Sequence, residues 1–374
     1  VKIAVVDTLY DGFLRWLYGQ RPQLASGSYR EQLDAILAAG FGTSDAYTYH
    51  LGRLGHDAVD LCVNGDLLQR TWAKEHGAAR WAFARERVAR GDDAREAWRR
   101  RLMKRVSLWQ LDALAPDVVF LHTLTWFTPN ELAYLRRRGA LLVGQLGSAA
   151  PHREILAALD LVVTCMPPWR DRLRAMGVDA EYQPLAFDER MLERATAAGI
   201  PARDVPVAFV GSIHPPSVHR GGTEMLEAAV EALDAPVWGL IADDLDPASP
   251  LAIRHRGEVW AMDMYRTLLR IQVLLNRHGD VAEGYTANMR LYEGTGMGAV
   301  VLTEAAPNLA ELFEPGQEIV SYRDADDLVA CARALRADGD RRRAIAAAGQ
   351  ARTLRQHTYA QRIPELAVMI EARL

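Results

Sequence analysis

The run Asn288-Met-Arg-Leu-Tyr-Glu293-Gly-Thr-Gly-Met-Gly298-Ala-Val-Val-Leu302 joins a polar cluster to a helix start and then to a buried strand. Its residue types suit a nucleotide. The Glu293 carboxylate can accept two hydrogen bonds from a ribose diol, and the Arg290 guanidinium can pair with phosphate oxygens. Glycines at 294, 296 and 298 let a ligand approach the backbone closely. A second reading is structural, with the same glycines closing a helix against a sheet. A short glycine-rich run does not choose between the two.

Other chemistry-bearing residues stand at expected strand ends. Asn276 and His278 come at and just after the end of an apolar run, where His278 can meet a phosphate or sugar hydroxyl or serve as a structural histidine. Gly211-Ser212 follow Val207-Ala-Phe-Val, and the next helix is expected near Gly221-Gly222-Thr223. Such a loop suits a diphosphate, because unpaired backbone N–H groups and the helix dipole favour anions. In the first half Asp7 and His122 each close a strand and are followed by Thr8 and Thr123. His122 and then Asp7 are the candidate catalytic residues. A histidine or carboxylate delivered to a strand end can take a proton from a substrate hydroxyl or orient it. Gln145, after the fourth strand, is a candidate hydrogen-bonding amide for a ligand, or a buried amide satisfying loop backbone. Asp243-Asp244-Leu-Asp246 has an acidic, metal-like spacing, but Pro247 and Pro250 mark an exposed loop and no metal site is expected there.

These residues need elements to hold them. Short apolar runs alternate with longer helical patterns, the signature of an α/β fold with parallel strands. The first series is Ile3 to Val6, Ala58 to Val63, Val118 to His122, Leu141 to Gly144 and Leu161 to Cys165. The second is Val207 to Gly211, Val237 to Ile241, Gln272 to Asn276, Ala299 to Thr303 and Glu318 to Tyr322. Two sheets, and so two domains, fit a chain of 374 residues better than one. Prolines and a glycine between Ala197 and Pro206 place the boundary there, giving domains 1–198 and 199–352 and a terminal helix, 353–374.

Composition sets outer limits. A 49% apolar and 25% charged chain with net charge −4 has no general attraction to nucleic acid, and none is expected as a partner. Cys62, Cys165 and Cys331 lie in no ligand spacing, so neither zinc nor a disulfide framework is expected. The chain opens on a strand-like run without signal-peptide architecture, no apolar stretch reaches the ~18 residues of a membrane span, and a cytoplasmic location is expected. The segment Arg80 to Arg105 is strongly basic. It reads as a solvated helical hairpin with Trp81, Phe83, Trp98 and Leu102 buried, or as a face for peripheral contact with an anionic surface.

The C-terminal half resembles the glycosyltransferases of the GT-B fold, in particular the group-1-like family that includes spore-maturation-type bacterial enzymes. The resemblance rests on Phe209-Val-Gly-Ser212 followed by Arg220, Met264-Tyr265, Leu275-Asn276-Arg-His278 and the run around Glu293. It continues through Asn308-Leu-Ala-Glu-Leu-Phe-Glu-Pro-Gly316, Glu318-Ile-Val-Ser-Tyr322, Asp326-Asp-Leu and Gln356-His-Thr-Tyr359. It is good over about residues 205–365 and less specific before them, through Asp7-Thr8, Phe41-Gly42-Thr-Ser-Asp45, Leu54-Gly55-His56 and Gly144-Gln145. The resemblance implies two Rossmann-like domains with sheets facing a central cleft, the first binding acceptor and the second a nucleotide sugar. Gly211, Ser212, Arg220, Asn276, His278, Asn288, Arg290, Glu293 and Gly296 are the expected donor-binding residues. It further implies that Glu293 contacts the ribose, that UDP is the carrier, and that neither a metal nor another cofactor is needed. In the better-known pattern a second glutamate lies eight positions before Glu293, where this chain has Tyr285. The expected activity is transfer of a sugar to an acceptor, the alternatives being a nucleotide-sugar epimerase of the same fold or a non-catalytic nucleotide-sugar or partner-binding protein.

Overall fold

The computed structural model describes residues 1–77, 92–213, 216–242 and 245–374, and the side chains of all of these except Asp92 and residues 216–221. The chain forms two compact units, residues 1–183 with 363–374, and residues 184–362. Among the described residues no helix is long and apolar enough to cross a membrane.

In the first unit the strands are β1 (Lys2–Asp7), β2 (Asp57–Cys62), β3 (Val118–Leu121), β4 (Leu141–Leu146), β5 (Leu161–Thr164) and β6 (Ala180–Tyr182). They make one parallel sheet in the order β2-β1-β3-β4-β5-β6. Val118 to Leu121 are fully buried, as a strand covered by helices on both faces must be. The basic segment falls partly outside the described residues, including Trp81 and Phe83. Its described part belongs to the helix Asp92–Leu114, whose Leu102 and Val106 pack against Trp72 and Ala73 while Arg100, Arg101 and Arg105 face outward. The end of the chain is tied in by Arg373, which donates to Asp179 at 2.6 and 2.9 Å.

The second unit is built from β7 (Val205–Val210), β8 (Val237–Trp238), β9 (Ile271–Leu275), β10 (Val300–Glu304) and β11 (Val320–Tyr322), parallel and in the order β11-β10-β9-β7-β8. Strand β8 stops at Trp238, short of the expected Ile241. Gly239 has φ +127° and lies so near the Gly211 carbonyl that a Cβ there would fall 2.1 Å from the oxygen. The sequence places the domain boundary at 197–206, whereas by packing the units divide at 183/184. Met191 and Ala195, on the helix Glu189–Thr196, pack with Phe187 in the core of the second unit. Thr353 is buried in that unit too, its hydroxyl 2.6 Å from that of Thr295.

Both sheets share one consequence of their order. From β1 the chain goes to β2 on one side and then to β3 on the other, and from β7 it goes to β8 and then to β9 in the same way. The loops leaving the carboxyl ends of β1 and β3, and of β7 and β9, therefore part in opposite directions and open a crevice, the usual ligand position in such sheets.

Candidate functional site

Asn276, Arg277 and His278 follow β9 at the crevice of the second unit. Asn276 Nδ2 donates to Thr303 Oγ1 at 2.9 Å, and Asn288 Nδ2 donates to Asn276 Oδ1 at 3.0 Å and to the Arg277 carbonyl at 2.6 Å. Asn288 also caps the helix Met289–Gly296, its Oδ1 accepting from Leu291 N at 3.2 Å. The helix start is thus pinned to the end of β9.

His278 is buried, with Nε2 3.0 Å from Thr303 Oγ1 and its backbone N–H donating to Glu304 Oε2 at 2.5 Å. The Thr303 hydroxyl accepts from Asn276 and can donate to His278 Nε2. In that arrangement the other ring nitrogen, Nδ1, carries the hydrogen, and it is buried without a partner among the described residues. Burial, helped by the nearby Arg277 charge, pushes this imidazole down to about 4.

A second histidine behaves alike. His357 donates from Nε2 to the Leu312 carbonyl at 2.7 Å, while Nδ1 accepts from Arg362 at 3.0 Å. Burial pushes it down to about 4 as well. Both groups are neutral when folded and free to protonate when unfolded, so the unfolded chain binds more protons below about pH 6.5. Stability is therefore full above that pH and falls as pH drops toward 4, by about 1.4 kcal/mol per pH unit per histidine. Denaturant titrations between pH 7 and 4 should show the loss, and His357→Asn should remove about one histidine's share of the slope.

Glu293 is buried and held by Arg290, whose Nη1 donates to Oε2 at 2.6 Å, and by Tyr265, whose hydroxyl donates to Oε1 at 3.4 Å. Arg290 Nε donates to the Val210 carbonyl at 2.9 Å, which ties the pair to the end of β7 just before Gly211-Ser212. Asn276, His278, Asn288, Arg290 and Glu293 are thereby linked, directly or through Val210 and Thr303, to the ends of β7, β9 and β10. The side chain of Arg220 and both Asp243 and Asp244 lie outside the described residues. Gly296 has a packing role: a Cβ there would fall 2.6 Å from the Phe187 ring, and its carbonyl accepts from Gln350 at 2.9 Å. Gly294 is likewise closed against Leu274 and Val301, so at both positions the structural reading of the glycine run accounts for the residue.

In the first unit Asp7 and His122 stand at the crevice between β1 and β3, with His122 Nδ1 3.3 Å from Asp7 Oδ2 and 3.4 Å from Thr43 Oγ1. Asp7 Oδ1 accepts from Thr8 N at 2.7 Å, and the hydroxyls of Thr8 and Thr123 are 2.7 Å apart. The imidazole is fixed edge-on by the Tyr47 and Phe120 rings, 4.4 and 5.0 Å away between centroids. Gln145 joins the cluster, accepting from the Tyr47 hydroxyl at 3.1 Å. His122 Nε2 is buried and has no partner among the described residues. Sequence reasoning gave no role to Tyr47, because nothing in the helix Ala46–Arg53 marks which of its aromatic side chains meets β3 and β4.

Two doubly wound parallel sheets, each with polar side chains gathered at its switch point, define the GT-B class of glycosyltransferase fold. Residues 220–367 match the family described as glycosyl transferase-like. No curated protein matches the chain. Among solved structures it is similar to Anabaena HepE (Alr3699) in complex with UDP, at 13% identity over 100% of both chains with TM-score 0.60. It is also similar to the α,α-trehalose 6-phosphate synthase of Burkholderia multivorans, at 14% identity over 99% of this chain and 96% of that one with TM-score 0.54. A glycosyltransferase from Rickettsia africae matches at 11% identity over 99% and 98% with TM-score 0.56. At these identities the structural likeness is one of fold: the chain has the GT-B fold, and its residues 220–367 are similar to the glycosyl transferase-like family.

Proposed function

We propose that this protein transfers a sugar from a UDP-sugar to a hydroxyl-, amine- or carbon-centred acceptor without a metal ion. The second unit binds the donor and the first the acceptor. The observation that carries the reading is the Arg290–Glu293 pair, buried at the end of β7 beside the Asn276–Asn288–His278 network at the end of β9. Each Glu293 oxygen keeps a lone pair for a ribose hydroxyl after Arg290 and Tyr265 are satisfied. Arg290 and the unpartnered His278 Nδ1–H face the needs of phosphate oxygens, and such cations and dipoles can carry the leaving group's charge. The HepE complexes with UDP and with UDP-glucose support uridine as the base. In the first unit His122 Nε2, backed by Asp7, meets the reacting sugar or takes the acceptor proton.

Thermal shifts with UDP, GDP, TDP and ADP in EDTA test this. UDP at about 100 times its Kd should add about 2.7 kcal/mol and raise the Tm by several degrees. Glu293→Ala should abolish that increment whatever its effect on the ligand-free Tm. No shift with any nucleotide sinks the assignment. The tyrosine at position 285 favours the non-catalytic reading, and UDP release from UDP-glucose without acceptor counts against it.

A further inference from the structure

We infer that Arg277 is a further cation that holds the donor's diphosphate, beside Arg290, and that residue 222 is glycine so that Arg277 can lie there; the inference rests on the nucleotide-sugar reading above. Arg277 follows β9 at the switch point, and its guanidinium lies against Gly222 of the helix Pro216–Leu233. A Cβ on Gly222 would fall 1.9 Å from Nη2, 2.0 Å from Cζ and 2.6 Å from Nε. With three atoms of the group that close, any side chain at 222 displaces it. Glycine inside a helix is otherwise unfavourable, so the position serves the neighbour rather than the helix.

The charge here is balanced at a distance, while the hydrogen-bonding capacity of the group is not met. The Arg277 side chain is 16% exposed, and its one ion pair among the described residues is with the exposed Asp280, at 3.6 Å. Glu304, whose Oε2 accepts from the His278 backbone N–H at 2.5 Å, is a second carboxylate close enough to feel the Arg277 charge. Among the described residues Arg277 Nε is buried without a hydrogen-bond partner, and the adjacent His278 leaves Nδ1 in the same state. A largely buried cation with an unmet N–H is unfavourable unless an anion arrives. A diphosphate supplies what both donors lack, acceptor-only oxygens with negative charge, and a guanidinium can take two of them at once. The linked Asn276 and Asn288 hold Arg277 in place through its own carbonyl.

The test compares UDP with uridine by isothermal titration calorimetry, so that the diphosphate's share of binding is read apart from the nucleoside's. Arg277→Ala should reduce the ratio of UDP to uridine affinity by roughly 10- to 100-fold, the worth of a charge-assisted contact, with uridine affinity unchanged. Gly222→Ala should reduce it in part, because the methyl group moves the guanidinium while its charge is kept. Should the alanine variant lose uridine binding as well, Arg277→Gln carries the same comparison. A UDP-to-uridine ratio equal to wild type in either neutral variant overturns this inference alone. Failure of the wild type to bind UDP overturns it together with the functional reading.

Discussion

His122→Ala is expected to lower kcat by about 10²- to 10⁴-fold, the usual worth of a positioned proton-transfer or hydrogen-bonding group, while UDP affinity stays within about threefold. The imidazole is prepared for contact at one atom. Asp7 and Thr43 face Nδ1, the Tyr47 and Phe120 rings fix the plane, and Nε2 is buried without a partner among the described residues. A buried ring nitrogen ordinarily has a partner, and this one, at the end of a strand beside the crevice, is open to a ligand atom. Asp7→Asn should lower kcat less, because an amide oxygen can still accept from Nδ1–H but carries no charge to stabilise an imidazolium. The check is UDP release from UDP-glucose, with and without candidate acceptors, beside UDP affinity from titration. A His122→Ala enzyme that keeps a third or more of the wild-type kcat would remove His122 from the reaction. A large loss of UDP affinity instead would assign the residue to donor binding.

Asp7 and His122 were legible in the sequence because each closes a run of buried β-branched or aromatic residues, and a parallel strand delivers its last residues to the crevice. The same rule located Asn276 and His278. The glycine run was ambiguous at Gly296, whose packing partner Phe187 is remote in sequence, so that a packing glycine and a ligand-facing glycine read alike. The strand-end rule missed Arg277, which looks like any arginine after a strand until Gly222 is seen beneath its guanidinium. Strand ends were less legible than strand centres. Val237 to Ile241 reads as one continuous apolar run, but the ladder is interrupted at Gly239, which crosses the Gly211 carbonyl, and resumes as a single bridge between Ile213 and Ile241. The expected domain boundary followed the prolines near 201 and 206, yet a helix is assigned to a unit by where its apolar face is buried. Met191 and Ala195 of the helix before them are buried with Phe187.

Arg290→Met is expected to destabilise the protein by about 3–5 kcal/mol, since it leaves the Glu293 carboxylate buried without its counter-charge. That carboxylate is 6% exposed and the arginine 19%, so neither end is screened as a surface pair would be. The argument is sharper as a cycle. Glu293→Leu alone strands the guanidinium, though less severely, because Arg290 Nε keeps the Val210 carbonyl. The double variant Arg290→Met with Glu293→Leu buries no charge at all, and apolar replacements of buried ion pairs are often neutral or stabilising. It should therefore be more stable than Arg290→Met alone, with urea denaturation reporting a coupling of more than about 2 kcal/mol between the positions. Additive losses would mean that water or a shifted side chain already compensates each group and that the pair has no special electrostatic role. Function separates from stability in the same three proteins. The double variant should fold and yet show no UDP-induced thermal shift, because it has lost both the acceptor for the ribose diol and the cation beside the end of β7. A double variant that is stable and still shifts with UDP as the wild type does would place the ribose elsewhere, and with it the donor site.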